Sequence, residues 1–238
     1  MYKDQSIAVI LPALNEAGKI GRAISRMPRP LVDEVLVVDD GSTDTTAAEA
    51  EAAGARVLRH QVNRGVGAAI RTGIDWGQDH GIALIGIMAG DDQDDPNELI
   101  RLAEAIVDRG CEFVQGSRYL RGGTRLHQPL SRTVMTIGYS VVFSAVTLHW
   151  ISDATNGFKL FRTEICRTWP LQQPWLDRYE LEPYLLYQAI RRGCRVCEVP
   201  VTKYYPPDRS VGYTKMKGLR DWWRIVRPML LLTLRIRH

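Results

Sequence analysis

The chain has 238 residues, of which 45% are hydrophobic, 24% charged and 8% aromatic. These proportions are typical of an ordinary globular protein, most simply one domain, and exclude disordered, collagen-like and small disulfide-rich chains. The chain has four cysteines and no apolar leader after Met1. Both features predict a cytoplasmic protein in a reducing compartment, with the cysteines as buried thiols.

The net charge of +4 is unevenly distributed. The segment 203–238 has nine Lys or Arg residues against two Asp, whereas the rest has 22 basic and 25 acidic residues. The basic segment also carries Trp222, Trp223 and a run of leucines. This combination favours an anionic membrane surface over nucleic acid as a partner. The alternative is a helix packed on the body with its charges in solvent.

Two apolar segments are candidates for membrane-spanning helices. The apolar run 228–236 is far shorter than the ~20 residues of a spanning helix. The run 133–152 contains no Asp, Glu, Lys or Arg, but its Thr and Ser residues make it only moderately hydrophobic. We therefore predict that 133–152 is a helix that is buried or lies in the membrane interface.

In the first half of the chain, short apolar runs alternate with helical patterns, which predicts a parallel sheet covered by helices. The predicted strands are 6–11, 34–39, 56–59, 83–88 and 111–115. The predicted helices are 16–27, one that Ser or Thr side chains of the segment 42–46 cap and that runs through Ala53, one from about 68 to 80, and 96–110.

The second half is less regular. It predicts a helix at 131–148, a strand at 157–162, a helix at 181–192, a strand at 195–201 and a basic helix from about Lys217. Since no repeat or Gly/Ser linker marks a boundary, we expect one catalytic domain over 1–212 and a membrane-interface amphipathic helix over 213–238.

Acidic loops follow three of the predicted strands, at 12–16, 39–44 and 89–95. In an open parallel sheet, ligands bind beyond the carboxyl ends of the strands. Each loop alone could be a turn or a helix cap, but together they favour a site. Converging carboxylates repel one another and any phosphate, and a hard cation such as Mg²⁺ or Mn²⁺ resolves that conflict.

Several motifs occur in a fixed order. They are Pro-Ala-Leu-Asn-Glu (12–16), Val-Val-Asp-Asp-Gly-Ser-Thr-Asp (37–44), Asn-Arg-Gly-Val-Gly-Ala-Ala (63–69), Gly-Asp-Asp-Gln-Asp-Asp-Pro (90–96) and Gly-Ser-Arg (116–118). Later segments at 153–162, 198–200 and 209–215 continue the series. The ordered set resembles the family 2 glycosyltransferases, and within them the dolichol- or polyprenyl-phosphate mannose or glucose synthases. The resemblance implies the α/β GT-A fold, a Rossmann-like, mostly parallel sheet flanked by helices, here with a C-terminal amphipathic helix.

The resemblance also implies a reaction. It is the inverting transfer of a hexose from a nucleotide sugar, GDP-mannose or UDP-glucose, to a dolichyl or undecaprenyl phosphate at the membrane surface. A membrane partner subunit or a homo-oligomer would fit this setting.

Family roles fall on matched positions of this chain. The nucleotide-binding positions are Pro12, Leu14, Glu16, Asp40, Gly90 and Arg209. The metal positions are Asp91 and Gln93. The acceptor-phosphate positions are Arg118 and Arg132, and a loop bearing Arg209 and Lys215 closes over the phosphates. Asp153 is either a base or sugar-hydroxyl ligand, or a helix-end cap.

One position departs from the family pattern. Ala89 stands where an acidic residue usually opens the Asp-x-Asp motif. Asp91, the last position of that motif, is then expected to hold the metal, with help from Asp92, Gln93 or Asp94. A weaker or differently shaped metal site is the expected consequence.

The acceptor chemistry is consistent with this interpretation. A phosphate monoester has a second pKa near 6, so at neutral pH it is already a nucleophile and requires no general base. Alternative functions are transfer to a hydroxyl acceptor on a glycan or small molecule, and a non-catalytic scaffold in which Ala89 marks lost metal binding. A nucleotidyltransferase is disfavoured because its Gly-rich, Arg-containing loop is absent after the first strand.

Overall fold

The computed structural model describes residues 1–206 and 218–233. The strands are β1 Ile7–Ala13, β2 Glu34–Asp39, β3 Arg56–Arg59, β4 Leu84–Ile87, β5 Phe113–Ser117, β6 Thr124–Leu126, β7 Lys159–Arg162, β8 Val196–Pro200 and β9 Thr202–Tyr204. The helices are α1 Ile20–Ser25, α2 Thr46–Ala52, α3 Val66–Asp79, α4 Leu99–Val107, α5 Leu130–Thr147, α6 Leu181–Arg191 and α7 Gly218–Thr233.

Seven strands form one sheet in the order β3-β2-β1-β4-β7-β5-β8. All neighbouring strands are parallel except β7, which runs antiparallel between β4 and β5. The predicted mostly parallel α/β sheet is confirmed. Two short strands, β6 and β9, pair with each other in parallel and form a separate two-stranded sheet.

Helices cover both faces of the sheet. One apolar cluster packs α1, α2 and α4 on one face, and a second packs α3, α5, α6 and α7 on the other. Because the central strands are buried on both sides, their sequences are nearly continuous apolar runs, as in Ile7–Leu11. The carboxyl ends of β1, β2 and β4 therefore share one open edge between the helical layers.

One predicted helix start is wrong, since the first helix begins at Ile20 rather than at residue 16. The second helix begins at Thr46 after Thr45, within the predicted capping segment 42–46, but the Thr45 side chain makes no capping hydrogen bond. Instead, the Ser42 hydroxyl accepts a hydrogen bond from the Asn15 N–H at 2.9 Å. The residues before each helix form loops that bind each other, and this competes with helix formation.

The prediction of four free thiols is also wrong. Cys111 and Cys197 form a disulfide with a Cα–Cα distance of 6.1 Å, while Cys166 and Cys194 are free. Cys197 lies in β8 opposite Val114 of β5, and Cys111 just precedes β5. The pairing of these strands brings together two cysteines that are 86 residues apart in sequence.

The tail helix α7 packs on the body. Ile225, Met229 and Leu232 are buried, and the Tyr139 hydroxyl of α5 donates to the Ile225 carbonyl at 3.1 Å. Arg227 forms an ion pair with Glu180 at 3.0 Å. The buried side of α7 thus contacts α5 and α6, whereas Trp223 and Leu230 of the same helix are exposed. Within the ranges described, no helix is both long and apolar enough to cross a membrane.

Candidate active site

A cleft of about 290 Å³ opens at the carboxyl ends of the central strands. It brings together nine of the residues expected from the sequence: Pro12, Leu14, Glu16, Asp40, Gly90, Asp91, Gln93, Arg118 and Arg132. Asp153 does not line the cleft, and Arg209 and Lys215 lie outside the described residues. The expected convergence of the loops after β1, β2 and β4 is therefore present.

The first two loops hold each other in place. The Thr43 N–H donates to the Asn15 side-chain oxygen at 2.9 Å, and the Glu16 N–H donates to the Thr46 hydroxyl at 2.7 Å. Asn15 has a φ of +50°, which Asn tolerates better than most residues. The polar residues of these two motifs thus shape the rim of the cleft as well as line it.

Asp40 is buried at the floor of the cleft, and it organises the next loop. Its carboxylate accepts the backbone N–H groups of Arg64 at 2.9 Å and Gly65 at 2.7 Å, and it lies 2.7 Å from the His60 Nδ1. Gly65 has a φ of +111°, and a Cβ there would collide with the Asp177 carbonyl. The loop therefore requires glycine at this position.

The acidic side chains that follow β4 make different contacts. Asp91 faces the cleft together with Gln93. Asp92 instead forms ion pairs with Arg22 and Arg26 of the α1 segment, at 2.9 and 2.7 Å. Asp94 is buried and pairs with Lys203, and Asp95 accepts the Asn97 N–H at the start of a short 3-10 helix. Of the helpers considered for Asp91, only Gln93 shares its cleft.

Lys203 is a cleft residue that the sequence analysis missed. Its ammonium lies 2.9 Å from Asp94 in the interior. Burial alone would lower the pKa of Lys203, but the carboxylates of Asp94 and Asp91 outweigh burial and hold this pKa above its ordinary value. Lys203 therefore stays charged at neutral pH. A single lysine just after β8, inside a generally basic segment, offers no local signal.

Arg118, which lines the cleft, forms a buried pair with Asp153, which does not. Arg118 donates Nε and Nη2 to the two carboxylate oxygens of Asp153, both at 2.7 Å. It also donates to the Thr155 and Tyr205 hydroxyls. Burial disfavours the charged guanidinium, but Asp153 outweighs it and raises the pKa of Arg118. Most of the guanidinium is therefore occupied by protein oxygens.

Glu198 holds the Asp153 segment from behind. Its carboxylate accepts the Ser152 N–H at 2.8 Å and the Asp153 N–H at 3.1 Å. Burial raises the pKa of Glu198, and the hydrogen bonds from Ser152 and Asp153 oppose that shift. Together with the Arg118 pair, these contacts place the segment 152–156 along the wall of the cleft.

Two cleft cations have no carboxylate partner within salt-bridge distance among residues 1–206 and 218–233. They are Arg132 on α5, whose guanidinium lies 5.4 Å from the Tyr205 ring, and Arg178 just before α6. The other cleft cations, Lys19, Arg118 and Lys203, each form an ion pair with a carboxylate. Arg132 was expected here and Arg178 was not, because Arg178 lies in a loop without periodicity. These two arginines can therefore offer guanidinium N–H groups to an anionic ligand.

The residues present fit a divalent cation that is shared with a ligand. In the described part of the chain, no group of three or more His, Cys, Asp or Glu residues could enclose a metal ion. Mg²⁺ commonly binds one or two carboxylates, with the remaining positions filled by water and substrate phosphates. Asp91 beside Gln93 supplies such a partial ligand set.

Known proteins with similar sequences include glycosyltransferases. The sequence profile described as "Glycosyl transferase family 2" matches residues 8–169. Polyprenol monophosphomannose synthase of Mycolicibacterium smegmatis is 34% identical over 90% of this chain and 82% of its own length. Undecaprenyl-phosphate mannosyltransferase of Micrococcus luteus is 30% identical over 89% of this chain and 88% of its own length.

A solved structure has a similar fold. Glucosyl-3-phosphoglycerate synthase from Mycobacterium tuberculosis, in complex with Mn²⁺ and uridine-diphosphate-glucose, has a TM-score of 0.74 at 21% identity. The match covers 99% of this chain and 81% of that one. The fold, the order of the cleft loops and the profile match lead to one assignment: the chain belongs to glycosyl transferase family 2 and is a glycosyltransferase.

Proposed function

We propose that this glycosyltransferase moves a hexose, with inversion, from GDP-mannose or UDP-glucose to a polyprenyl phosphate. The observation that carries the proposal is the pair Arg132 and Arg178, two cleft cations without a carboxylate partner among the described residues, in the same cleft as Asp91. A donor diphosphate and an acceptor phosphate in one cleft need such charge. The names of the M. smegmatis and M. luteus relatives support a polyprenyl acceptor.

The nucleoside half of the donor would lie on the loops after β1 and β2. Pro12, Leu14 and Glu16 line this part of the cleft, and Asp40 forms its floor with Gly90 nearby. Asp91 and Gln93 would hold Mg²⁺ or Mn²⁺ against the diphosphate. When bound, the cation would neutralise the charge that develops on the leaving nucleoside diphosphate.

The acceptor phosphate would bind on the other half of the sheet, at Arg132, with Arg178 close to both phosphates. An acceptor oxygen forms a bond to the sugar C1 while the bond from C1 to the diphosphate oxygen breaks. Since the phosphate is largely a dianion at neutral pH, this step needs no proton acceptor. Arg118 and Asp153 would shape the wall beside the sugar, and Arg209 and Lys215 would come from the segment outside the described residues.

The surrounding assignments are also proposals. We propose that residues 1–212 form the catalytic domain, that 213–238 contribute to membrane association, and that the enzyme works peripherally at the cytoplasmic face. A membrane subunit or a second copy would serve as its partner.

A transfer assay tests the proposed reaction. The full chain is incubated with radiolabelled GDP-mannose or UDP-glucose and a polyprenyl phosphate, with Mg²⁺, Mn²⁺ or EDTA, and the lipid extract is counted. We expect label in the lipid with one donor and a metal, and none with EDTA. Arg132→Met should lower this rate by about 10- to 100-fold, as expected for a lost charge-assisted contact, while Arg167→Met on an exposed turn should not. Absence of transfer with every donor and metal would contradict the proposal.

A further inference from the structure

A buried histidine connects the floor of the cleft to a helix behind it. His60 directly follows β3, is 8% exposed, and is not among the described residues that line the cleft. Its Nδ1 lies 2.7 Å from the Asp40 Oδ1, and its Nε2 lies 3.0 Å from the hydroxyl of Thr72 on α3. The His60 backbone N–H donates to the Asp39 carbonyl at 2.9 Å. His60 is therefore held at three points, and its ring bridges Asp40 and Thr72.

The partners of the ring fix the direction of each hydrogen bond. The Asp40 carboxylate already accepts two backbone N–H groups, so neutral His60 carries its proton on Nδ1 and donates it to Asp40. Nε2 is then an acceptor, and the Thr72 hydroxyl donates to it. Through His60, α3 thus sets the orientation of a carboxylate at the floor of the cleft.

Protein groups fill most of the acceptor positions of Asp40. Oδ1 accepts from His60 and from the Arg64 N–H, and Oδ2 accepts from the Gly65 N–H. A carboxylate has about four lone-pair positions, two on each oxygen. Among the described residues these three donors leave one position, on Oδ2. Since Asp40 lines the cleft, this position can accept one N–H or O–H group of a ligand.

We propose that His60 is a positioning residue for nucleoside binding, which holds the Asp40 carboxylate where it accepts a hydrogen bond from the base or ribose of the donor. This inference rests on the proposed function, in which the nucleoside lies on the loops after β1 and β2. His60 acts through Asp40 and does not touch the ligand. Its loss should therefore weaken binding of the nucleoside and spare binding of the diphosphate, which the proposed function places at Asp91 and Gln93.

Three substitutions separate the two nitrogen atoms of His60. The amide nitrogen of His60→Asn lies near the position of Nδ1 and can still donate to Asp40. The longer side chain of His60→Gln places its amide near the position of Nε2, so it can contact Thr72 but leaves Asp40 without this donor. His60→Leu removes both hydrogen bonds. A residue that only fills space in the interior would not distinguish the two amides in this way.

Isothermal titration calorimetry of the full chain with Mg²⁺ measures the Kd of GDP, UDP and inorganic pyrophosphate. For the nucleoside diphosphate that wild type binds more tightly, His60→Leu and His60→Gln should raise Kd about tenfold, and His60→Asn less than about threefold. Pyrophosphate, which has no nucleoside, should bind all variants alike. In the transfer assay, His60→Gln should raise the donor KM about tenfold and change kcat less than about threefold. His80→Leu, at the exposed end of α3, is the matched control and should bind as wild type.

Equal nucleoside diphosphate affinity of wild type and His60→Leu would overturn the proposal. So would a loss of pyrophosphate affinity as large as the loss of nucleoside diphosphate affinity, because the damage to the cleft would then be general. Where unfolding midpoints show that His60→Leu is not folded, the two amide variants decide, and equal affinities of His60→Asn and His60→Gln would refute the role. Nitrogen chemical shifts that place the proton of neutral His60 on Nε2 would also refute it.

The same measurements distinguish this proposal from the proposed function. Sugar transfer by wild type together with unchanged nucleoside diphosphate binding in His60→Leu would contradict the role of His60 alone. The expected loss of nucleoside diphosphate affinity in a protein that transfers no sugar would contradict the proposed function alone. No binding of GDP or UDP to wild type would contradict both.

Discussion

Substitutions in the buried pair of Arg118 and Asp153 can show whether Asp153 stabilises the fold or acts on the substrate. Asp153 is fully buried, and its carboxylate accepts hydrogen bonds from the Arg118 Nε, Nη2 and backbone N–H. Asp153→Asn keeps the shape of the side chain but leaves the Arg118 charge without its counterion. Removing one partner of a buried pair costs about 3–5 kcal/mol of unfolding free energy.

This loss can be measured by urea unfolding. With a denaturant slope of about 3 kcal/mol per molar, Asp153→Asn should lower the urea midpoint by about 1–1.7 M. The variant Arg118→Met with Asp153→Leu removes both charges and should lose less stability than Asp153→Asn. Asp108→Asn, in a surface pair with Lys3, is the control and should leave the midpoint unchanged.

Nucleotide binding and sugar transfer are then measured with the same variants. At low temperature and without urea, folded Asp153→Asn should still bind nucleoside diphosphate, because Asp153 does not line the cleft. An unchanged urea midpoint together with lost sugar transfer would refute the structural interpretation. In that case Asp153 would act on the substrate itself.

Three further predictions concern the metal position, the buried lysine and the cysteines. Asp91→Asn should reduce initial rates of sugar transfer by about a hundredfold, whereas Asp92→Asn should stay near wild type because Asp92 pairs with arginines away from the cleft. The pKa of Lys203 is higher in the folded protein than its ordinary value of 10.5. The charged lysine therefore stabilises the fold fully below pH 10.5, and this stabilisation decreases as the pH rises above that value. The urea midpoint of wild type relative to Lys203→Met with Asp94→Asn should therefore be constant from about pH 7 to 9, and should fall above about pH 10.5. Denatured protein should react with two equivalents of a thiol reagent before reduction and four after it, since one disulfide joins two of the four cysteines; four before reduction would contradict the pairing.

The strands and the cleft loops could be predicted because their signals are local. Buried parallel strands are short apolar runs, and the residues after them must lie at one edge of the sheet. The convergence of Pro12, Asp40 and Asp91 follows from this rule alone. The helix starts could not be placed as well, because Ser42 and Asn15 bond across loops that are far apart in sequence.

Features that depend on distant pairing could not be predicted. The antiparallel insertion of β7 between β4 and β5 has no periodicity of its own, and the disulfide depends on which strands become neighbours. Lys203 reaches the cleft from the three-residue strand β9, and Arg178 reaches it from an irregular segment before α6. The sequence predicted α5 as buried or interfacial, and the structure shows a helix with one buried face and one exposed apolar face.

Two acceptors that differ by one group show whether the acceptor phosphate is the nucleophile. A polyprenyl phosphate and the polyprenol of the same chain length are offered in detergent to the full chain, with the donor that supports transfer and its metal. We expect sugar on the phosphate-bearing lipid alone, with inverted anomeric configuration, because Arg132 and Arg178 bind the acceptor phosphate and that phosphate is the nucleophile. Equal transfer to the polyprenol would refute this mechanism, since the acceptor would then be a hydroxyl group.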